Sequence, residues 1–232
     1  MKYCSPALIK FWVNLREVGV LSSLSKKDKS SSKQREINEC LSRASILLLC
    51  SHIERFFEDL VIDILTFHES NQTLMSMLPD CLKVIQTLYK PITDNLGSDK
   101  KWKIIENISR SPFADTSNKC CQGIFDVDLH LKGFASPSSN NIKYLFNGIG
   151  INDIWRLVEN RTNTTTLKTN LDAFVYRRNN ITHGSAADKP TMENVRNYVC
   201  DICAIVRIFN AIVTEYLVDN FKVQHPWVII SI

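Results

Sequence analysis

The chain has 232 residues, 44% hydrophobic and 22% charged, which is enough for one packed domain and too apolar for a chain disordered throughout. Seven Gly and seven Pro are few for a β-sandwich with many tight turns. The formal net charge of +4 is uneven: residues 1–36 carry eight Lys/Arg against three Asp/Glu, so charge alone does not make the body a basic nucleic-acid binder.

The start, Met1 to Pro6, leads into an apolar segment broken by Lys10, Asn14 and Arg16, unlike the continuous core of a secretory signal. The longest fully apolar stretch, Ile46 to Cys50, is far too short to span a bilayer. A cytoplasmic protein with no membrane partner is expected. Eight cysteines in a chain of this size do not form a disulfide framework, and buried reduced thiols are expected. Cys200 and Cys203 have the spacing of a metal or redox pair, but no second pair accompanies them, so no metal site and no cofactor are expected.

Along the chain, residues 6–21 read as a short amphipathic helix, followed by a Ser/Lys-rich run from Ser22 to Lys33 that reads as a flexible linker. Residues 1–35 are therefore expected to be an arm with a basic linker, 36–222 an all-α helical domain, and 223–232 an apolar tail. Its basic residues either track phosphates or are simply solvated. The clearest helix is 35–68, with Ile37, Leu41, Ala44, Leu48, Ile53, Phe56, Leu60 and Ile64 at helical spacing. Pro79 suits the first turn of a helix ending near Pro91, and a further short helix is expected near 99–109. From Ser111 to Pro137 the pattern dissolves, as in a long functional loop. Ser138 to Asn141 cap a helix stopped by Gly148-Ile149-Gly150, and Asn152 or Asp153 caps the next. Two long helices follow, 164–181 and Thr191 to about Phe221. The tail from His225 to Ile232 would dock as a strand or extended segment. Long central antiparallel helices are the expected architecture.

One stretch is poor core material: Tyr176-Arg177-Arg178-Asn179-Asn180-Ile181-Thr182-His183-Gly184, at the end of a helix. Arginine offers a planar fork of donors to phosphate, and histidine titrates near neutrality and can move a proton. The same residues would also complement the negative end of the helix dipole, and spacing alone leaves both readings open. His52, in the central helix, reads as a satisfied core residue.

The segment Arg178-Asn179-Asn180-Ile181-Thr182-His183 resembles the arginine, polar residue, histidine signature of the HEPN superfamily. Ala44 to Leu60 is similar to the early core helix of its prokaryotic RiboL-PSP-HEPN and MAE-type branch, and Asn141 to Ile151 to its middle element. Together these cover about residues 36–222. Thr182 stands where that branch often has a small apolar residue. The chain also lacks a Tyr two positions after His183, which disfavours the toxin subtype paired with an AMP-transferring antitoxin.

The resemblance implies an all-α HEPN-like bundle acting as a metal-independent endoribonuclease, with RNA as substrate because cleavage uses the ribose 2′-hydroxyl. It implies that Arg178 holds the scissile phosphate, His183 is general acid or base, Asn179 orients one of them, and Arg177 and Asn180 add phosphate contacts. Glu54, a carboxylate in an apolar helix, is a candidate partner for His183, or else a surface-facing residue. A homodimer with two motifs facing one cleft is expected. A toxin or anti-phage role, with an antitoxin or defence-system partner protein, is the biological setting the family suggests. The alternative is a non-catalytic HEPN module that binds nucleotide or RNA, or only dimerises.

Overall fold

A computed structural model describes residues 4–25, 31–87, 106, 109–185 and 188–227. These form an all-α bundle, and no β-strand occurs among the described residues beyond an isolated bridge between Leu74 and Lys119. The helices are α1 (Pro6–Leu24), α2 (Ser32–Ser70), α3 (Asp80–Thr87), α4 (Val127–Leu131), α5 (Ser139–Asn147), α6 (Ile154–Thr162), α7 (Thr166–Thr182) and α8 (Met192–Phe221), with a 3₁₀ turn at Met75–Met77.

Local chemistry explains most of the helix starts. Ser5, Ser31 and Ser138 each accept the backbone N–H three residues on, and Pro6 follows Ser5 at the first helical position. Thr191 and Asn194 close a reciprocal capping box on α8. The 39 residues of α2 reach about 58 Å, the full length of the bundle. The middle of α2 is buried nearly all round because other helices cover it on several sides: Ile46, Leu49, Ile53, Phe56, Phe57 and Leu60 are almost wholly inaccessible.

The residue pairings fix the directions. Phe11 meets Phe56 and Lys10 meets Asp59, while Glu17 reaches back to His52, so α1 runs antiparallel to α2. Lys189 pairs with Glu39 just before α8, and Phe221 meets Phe67 at its far end, so α8 runs parallel to α2. α7 returns antiparallel to both, with Arg178 beside Cys50 and Phe174 against Tyr198. A chain of edge-to-face rings, Phe11–Phe56–Phe57–Phe209–Trp155, crosses the centre at centroid separations of 5.0–5.8 Å.

The N-terminal helix is not a detached arm. Ala7, Leu8, Phe11 and Val18 belong to the common core. The Ala7 N–H donates to Asp63 Oδ2 at 2.8 Å, the Ser5 N–H donates to Asn210 Oδ1 at 2.9 Å, and Arg207 lies over the Trp12 ring. A polar linker can join two elements of one core as readily as two bodies, which is why its composition misled. The irregular stretch 111–137 contains the short α4. Residues 88–91 and most of the helix expected near 99–109 lie outside the described residues. So does the end of the tail, of which Pro226 and Trp227 are buried, and Trp227 Nε1 donates to Thr214 Oγ1 at 2.8 Å. No described helix is long and apolar enough to cross a membrane.

Candidate functional site at the end of helix α7

α7 ends in a Schellman turn. His183 is its C-cap, and Gly184 takes φ +78°, a backbone region that a Cβ penalises. The Gly184 N–H donates to Ile181 O at 3.1 Å and the Ser185 N–H to Asn180 O at 3.0 Å, satisfying two of the carbonyls every helix end leaves open. Arg43, from α2, ties down the loop that follows: Nη1 donates to the carbonyls of Ser185 (3.1 Å) and Asp188 (3.3 Å), and Nη2 approaches the already bonded Ile181 O at 3.5 Å.

Arg178 leans onto α2. Its Nε–H donates to Cys50 Sγ at 3.2 Å, and its Nη2 lies 3.8 Å from Glu54 Oε2. Cys50 and Glu54 are one helical turn apart, so both face the same arginine. Burial pushes the Cys50 thiol up, against the pull of Arg178, so it meets the guanidinium as a neutral acceptor. Burial also raises the Glu54 pKa, with Arg178 opposing and Glu58 adding to the rise. The guanidinium itself remains partly open to solvent, its side chain 21% accessible.

The other predicted residues separate into two groups. Asn179 and the exposed His183 are four apart and share a helix face, and neither side chain is hydrogen-bonded among the described residues. Arg178 and His183 are five apart, about 140° around and 7.5 Å along an ideal helix, so the two groups do not stand side by side on one face. Arg177 and Asn180 face Asp188 instead: Arg177 Nε lies 3.2 Å from Oδ1 with its guanidinium over the Tyr198 ring, and Asn180 Nδ2 reaches Oδ2 at 3.5 Å. Both are occupied in holding the loop after His183, where the sequence suggested phosphate contacts. Glu54 pairs with Arg178, not with His183 as the sequence suggested, because α2 passes the arginine side of α7.

The sequence reading missed Arg43, Cys50 and Asp188. Asp188 was the most accessible of these, as a carboxylate five residues beyond the motif. Arg43 and Cys50 depend on how α2 is rotated against α7. Among the described residues no group of three His, Cys, Asp or Glu is arranged to hold a metal, and Cys200 is exposed while Cys203 is half-buried. His52 is buried, as expected, with Nε2 3.2 Å from Glu17 Oε2. Four clefts among the described residues, one between α4 and α5, two beside Tyr216 and one beside Lys189, are lined by neither Arg178 nor His183.

A family model described as RiboL-PSP-HEPN matches residues 15–215. The chain belongs to the RiboL-PSP-HEPN family. Neither the curated proteins nor the solved structures compared with it gave a significant match. Membership accords with the all-α fold and places this RiboL-PSP-HEPN chain in a superfamily of nucleases and nucleotide-binding modules. The match begins inside α1, in keeping with the packing of that helix on the core.

Proposed function

We propose that the chain is a metal-independent endoribonuclease that cleaves RNA by 2′-hydroxyl attack, using Arg178 and His183. The observation that carries this reading is the state of Arg178: a largely buried but still accessible guanidinium oriented by Cys50 and Glu54, with hydrogen-bond donors left over, at the end of a helix whose cap is an exposed histidine. Arg178 would bind the scissile phosphate and stabilise the charge that develops as the O2′–P bond forms and the P–O5′ bond breaks. One histidine takes the 2′-hydroxyl proton and another gives a proton to the departing O5′, leaving a 2′,3′-cyclic phosphate.

That chemistry uses two proton-transfer groups, whereas each chain offers one exposed histidine here, set off from its own arginine around the helix. These facts support a homodimer in which each cleft receives residues from both copies. Asn179, on the His183 face, would orient the histidine. A cytoplasmic toxin or anti-phage role, restrained by an antitoxin or defence partner, fits such an enzyme, and growth arrest on expression that depends on His183 would support it.

The test is cleavage of total RNA in EDTA by the wild type, Arg178→Ala and His183→Ala. Cleavage is expected from the wild type alone, with a loss of about 10²–10⁴-fold in His183→Ala. Equal cleavage by all three would overturn the assignment. RNA binding without cleavage by a dimeric wild type would favour the non-catalytic HEPN module.

A further inference from the structure

Ile37, Cys40, Ala44, Leu47 and Ser51 follow one another along α2 at spacings of three, four, three and four, so they share one helix face, and all five are exposed. None carries a charge, over a length of about 21 Å, whereas the outer side of a solvated helix is normally charged. The same spacing continues back to Lys33 and on to Glu54 and Glu58, which puts a cation at one end of the face and two carboxylates at the other. α7 borders the face on one side, where Arg178 touches Cys50 and Glu54. α1 borders it on the other, where Lys10 and Arg55 share Asp59. Val13, Val20 and Leu24 share the face of α1 that carries Glu17, and all three are more than half exposed. The pairs Lys10–Asp59 and Glu17–His52 bring Val20 and Leu24 level with the stretch from Ala44 to Leu49, which widens the apolar patch.

Charge and spacing together choose the occupant. From Lys33 to Glu58 the spacing alternates four, three, four, three, four, three, four, and it reads the same in both directions. A second α2 laid antiparallel, with Lys33 opposite Glu58, therefore sets every position of the face against another position of the face. Ala44 meets Leu47 and Cys40 meets Ser51, twice each, so small side chains receive larger ones across the centre. Ile37 comes opposite Glu54, which leans aside to Arg178. Lys33 is exposed, and Glu58, held within its own helix by Arg55 at 3.3 Å, is a carboxylate with room for a second donor, so a Lys–Glu pair closes each end. Parallel pairing would set Lys33 on Lys33 and Glu58 on Glu58, and a slip of one heptad would leave the carboxylates unmatched.

We propose that a second copy of this chain docks on this face through an antiparallel α2–α2 seam, with Lys33 of each copy meeting Glu58 of the other. The inference rests on the homodimer of the proposed function and names the surface that forms it. The seam's two-fold axis crosses α2 between positions 45 and 46. Rotation about that axis leaves the α7 of each copy on the same side of the seam, so both motifs flank one groove. Arg43, which holds the loop after His183, lies about 4 Å along α2 from the axis, and the two loops are thus about 8 Å apart in that direction.

The test is sedimentation equilibrium of the full chain, with circular dichroism to confirm that each variant keeps its helices. The wild type is expected to be a dimer. Ala44→Arg puts a charge at the centre of the seam twice and should raise the dimer Kd about a hundredfold or more. Lys33→Glu or Glu58→Lys alone should raise it about fivefold, and the two together should restore it, since only an antiparallel second copy pairs these ends. Register is read by a short bismaleimide on protein whose other exposed cysteines, Cys4, Cys121 and Cys200, are changed to serine. Ser51→Cys should give a covalent dimer that is lost on adding Cys40→Ser. Without Ser51→Cys no link is expected, because the two Cys40 residues stand eleven positions, about 16 Å, apart along the seam. A strictly monomeric wild type, a dimer indifferent to Ala44→Arg, or a link between the two Cys40 residues would each overturn the seam. The nuclease reading fails separately: an Ala44-dependent dimer that cleaves no RNA leaves the seam standing, and RNA cleavage by a dimer indifferent to Ala44→Arg removes the seam and leaves the nuclease.

Discussion

Replacing Arg43 by alanine removes the clamp between α2 and the loop that follows His183. Two of its contacts, at 3.1 and 3.3 Å, are charge-assisted hydrogen bonds to carbonyls, and the third, at 3.5 Å, is marginal. A hydrogen bond to a charged group contributes about 1.5–3 kcal/mol net, and two would give about 3–6. Arg43 is only half-buried, so water can reach some of the carbonyls it leaves, and about 2–4 kcal/mol is the expected loss. Urea unfolding of Arg43→Ala should show that loss as a lower midpoint with an unchanged slope. Amide exchange at Gly184 and Ser185 should accelerate more than exchange in the middle of α2, because the perturbation is local. Arg43→Lys should recover about half of the stability, since one ammonium cannot span carbonyls that a planar fork reaches together. A change below about 0.5 kcal/mol, with exchange at Gly184 unaltered, would refute the idea that Arg43 holds this turn.

Three further outcomes are expected. His68 is fully buried among Phe67, Phe125 and Phe221, and burial lowers its pKa to about 4, so the unfolded chain binds more protons than the folded one between pH 6.5 and 4. Stability from this group therefore falls by roughly 3 kcal/mol as pH drops through that window. Asp63, raised to about 6 by burial, shifts stability the opposite way between about pH 6 and 4, so the wild-type profile hides the effect; it is exposed by comparing pH-dependent urea midpoints of His68→Leu and wild type, and parallel profiles would refute it. Gly150 has φ +88°, and a Cβ there would stand 2.5 Å from Pro79 Cγ, so Gly150→Ala should cost about 2–4 kcal/mol in thermal or urea unfolding; a loss under 1 kcal/mol would contradict the packing. Cys50→Ala leaves the Arg178 Nε–H without its acceptor and should lower kcat for RNA cleavage about tenfold while the melting temperature changes little, with Cys50→Ser restoring part of it; an unchanged kcat would mean that the sulfur does not orient the arginine.

Helices with a strong period and a cap were legible in the sequence. Thr191 and Asn194 mark the start of α8, and the all-round apolar centre of α2 marked it as central. The short α4 was not legible, since five residues among turns carry no period to detect. The motif at the end of α7 could be located from composition and resemblance, yet the roles within it could not be divided. Arg177 and Arg178 are adjacent, and only the placement of α2 and of the Asp188 loop sends one to Cys50 and Glu54 and the other to Asp188 and Tyr198. Glu54 was singled out because a carboxylate in an apolar helix needs a partner, a sound inference that does not say which residue the partner is. Arg43 carried no signal at all, because an arginine in a long helix is unremarkable until the carbonyls it serves are known.

The parallel pairing of α2 with α8 joins residues near the two ends of the chain: Glu39 to Lys189, Phe57 to Phe209, Phe67 to Phe221. As the chain leaves the ribosome, α2 is complete at Ser70 and already has α1 to pack on, but its parallel partner α8 begins only at Met192. At about 5–20 residues per second, the interval is roughly 6–25 s, during which the apolar side of α2 that later meets α8 has no cover from it. The arginine clamp is likewise incomplete until α7 has emerged. Such a chain completes its core late in its own synthesis, with one side of the α1–α2 hairpin waiting for a distant mate, and it should depend on chaperones more than a bundle of sequential hairpins does.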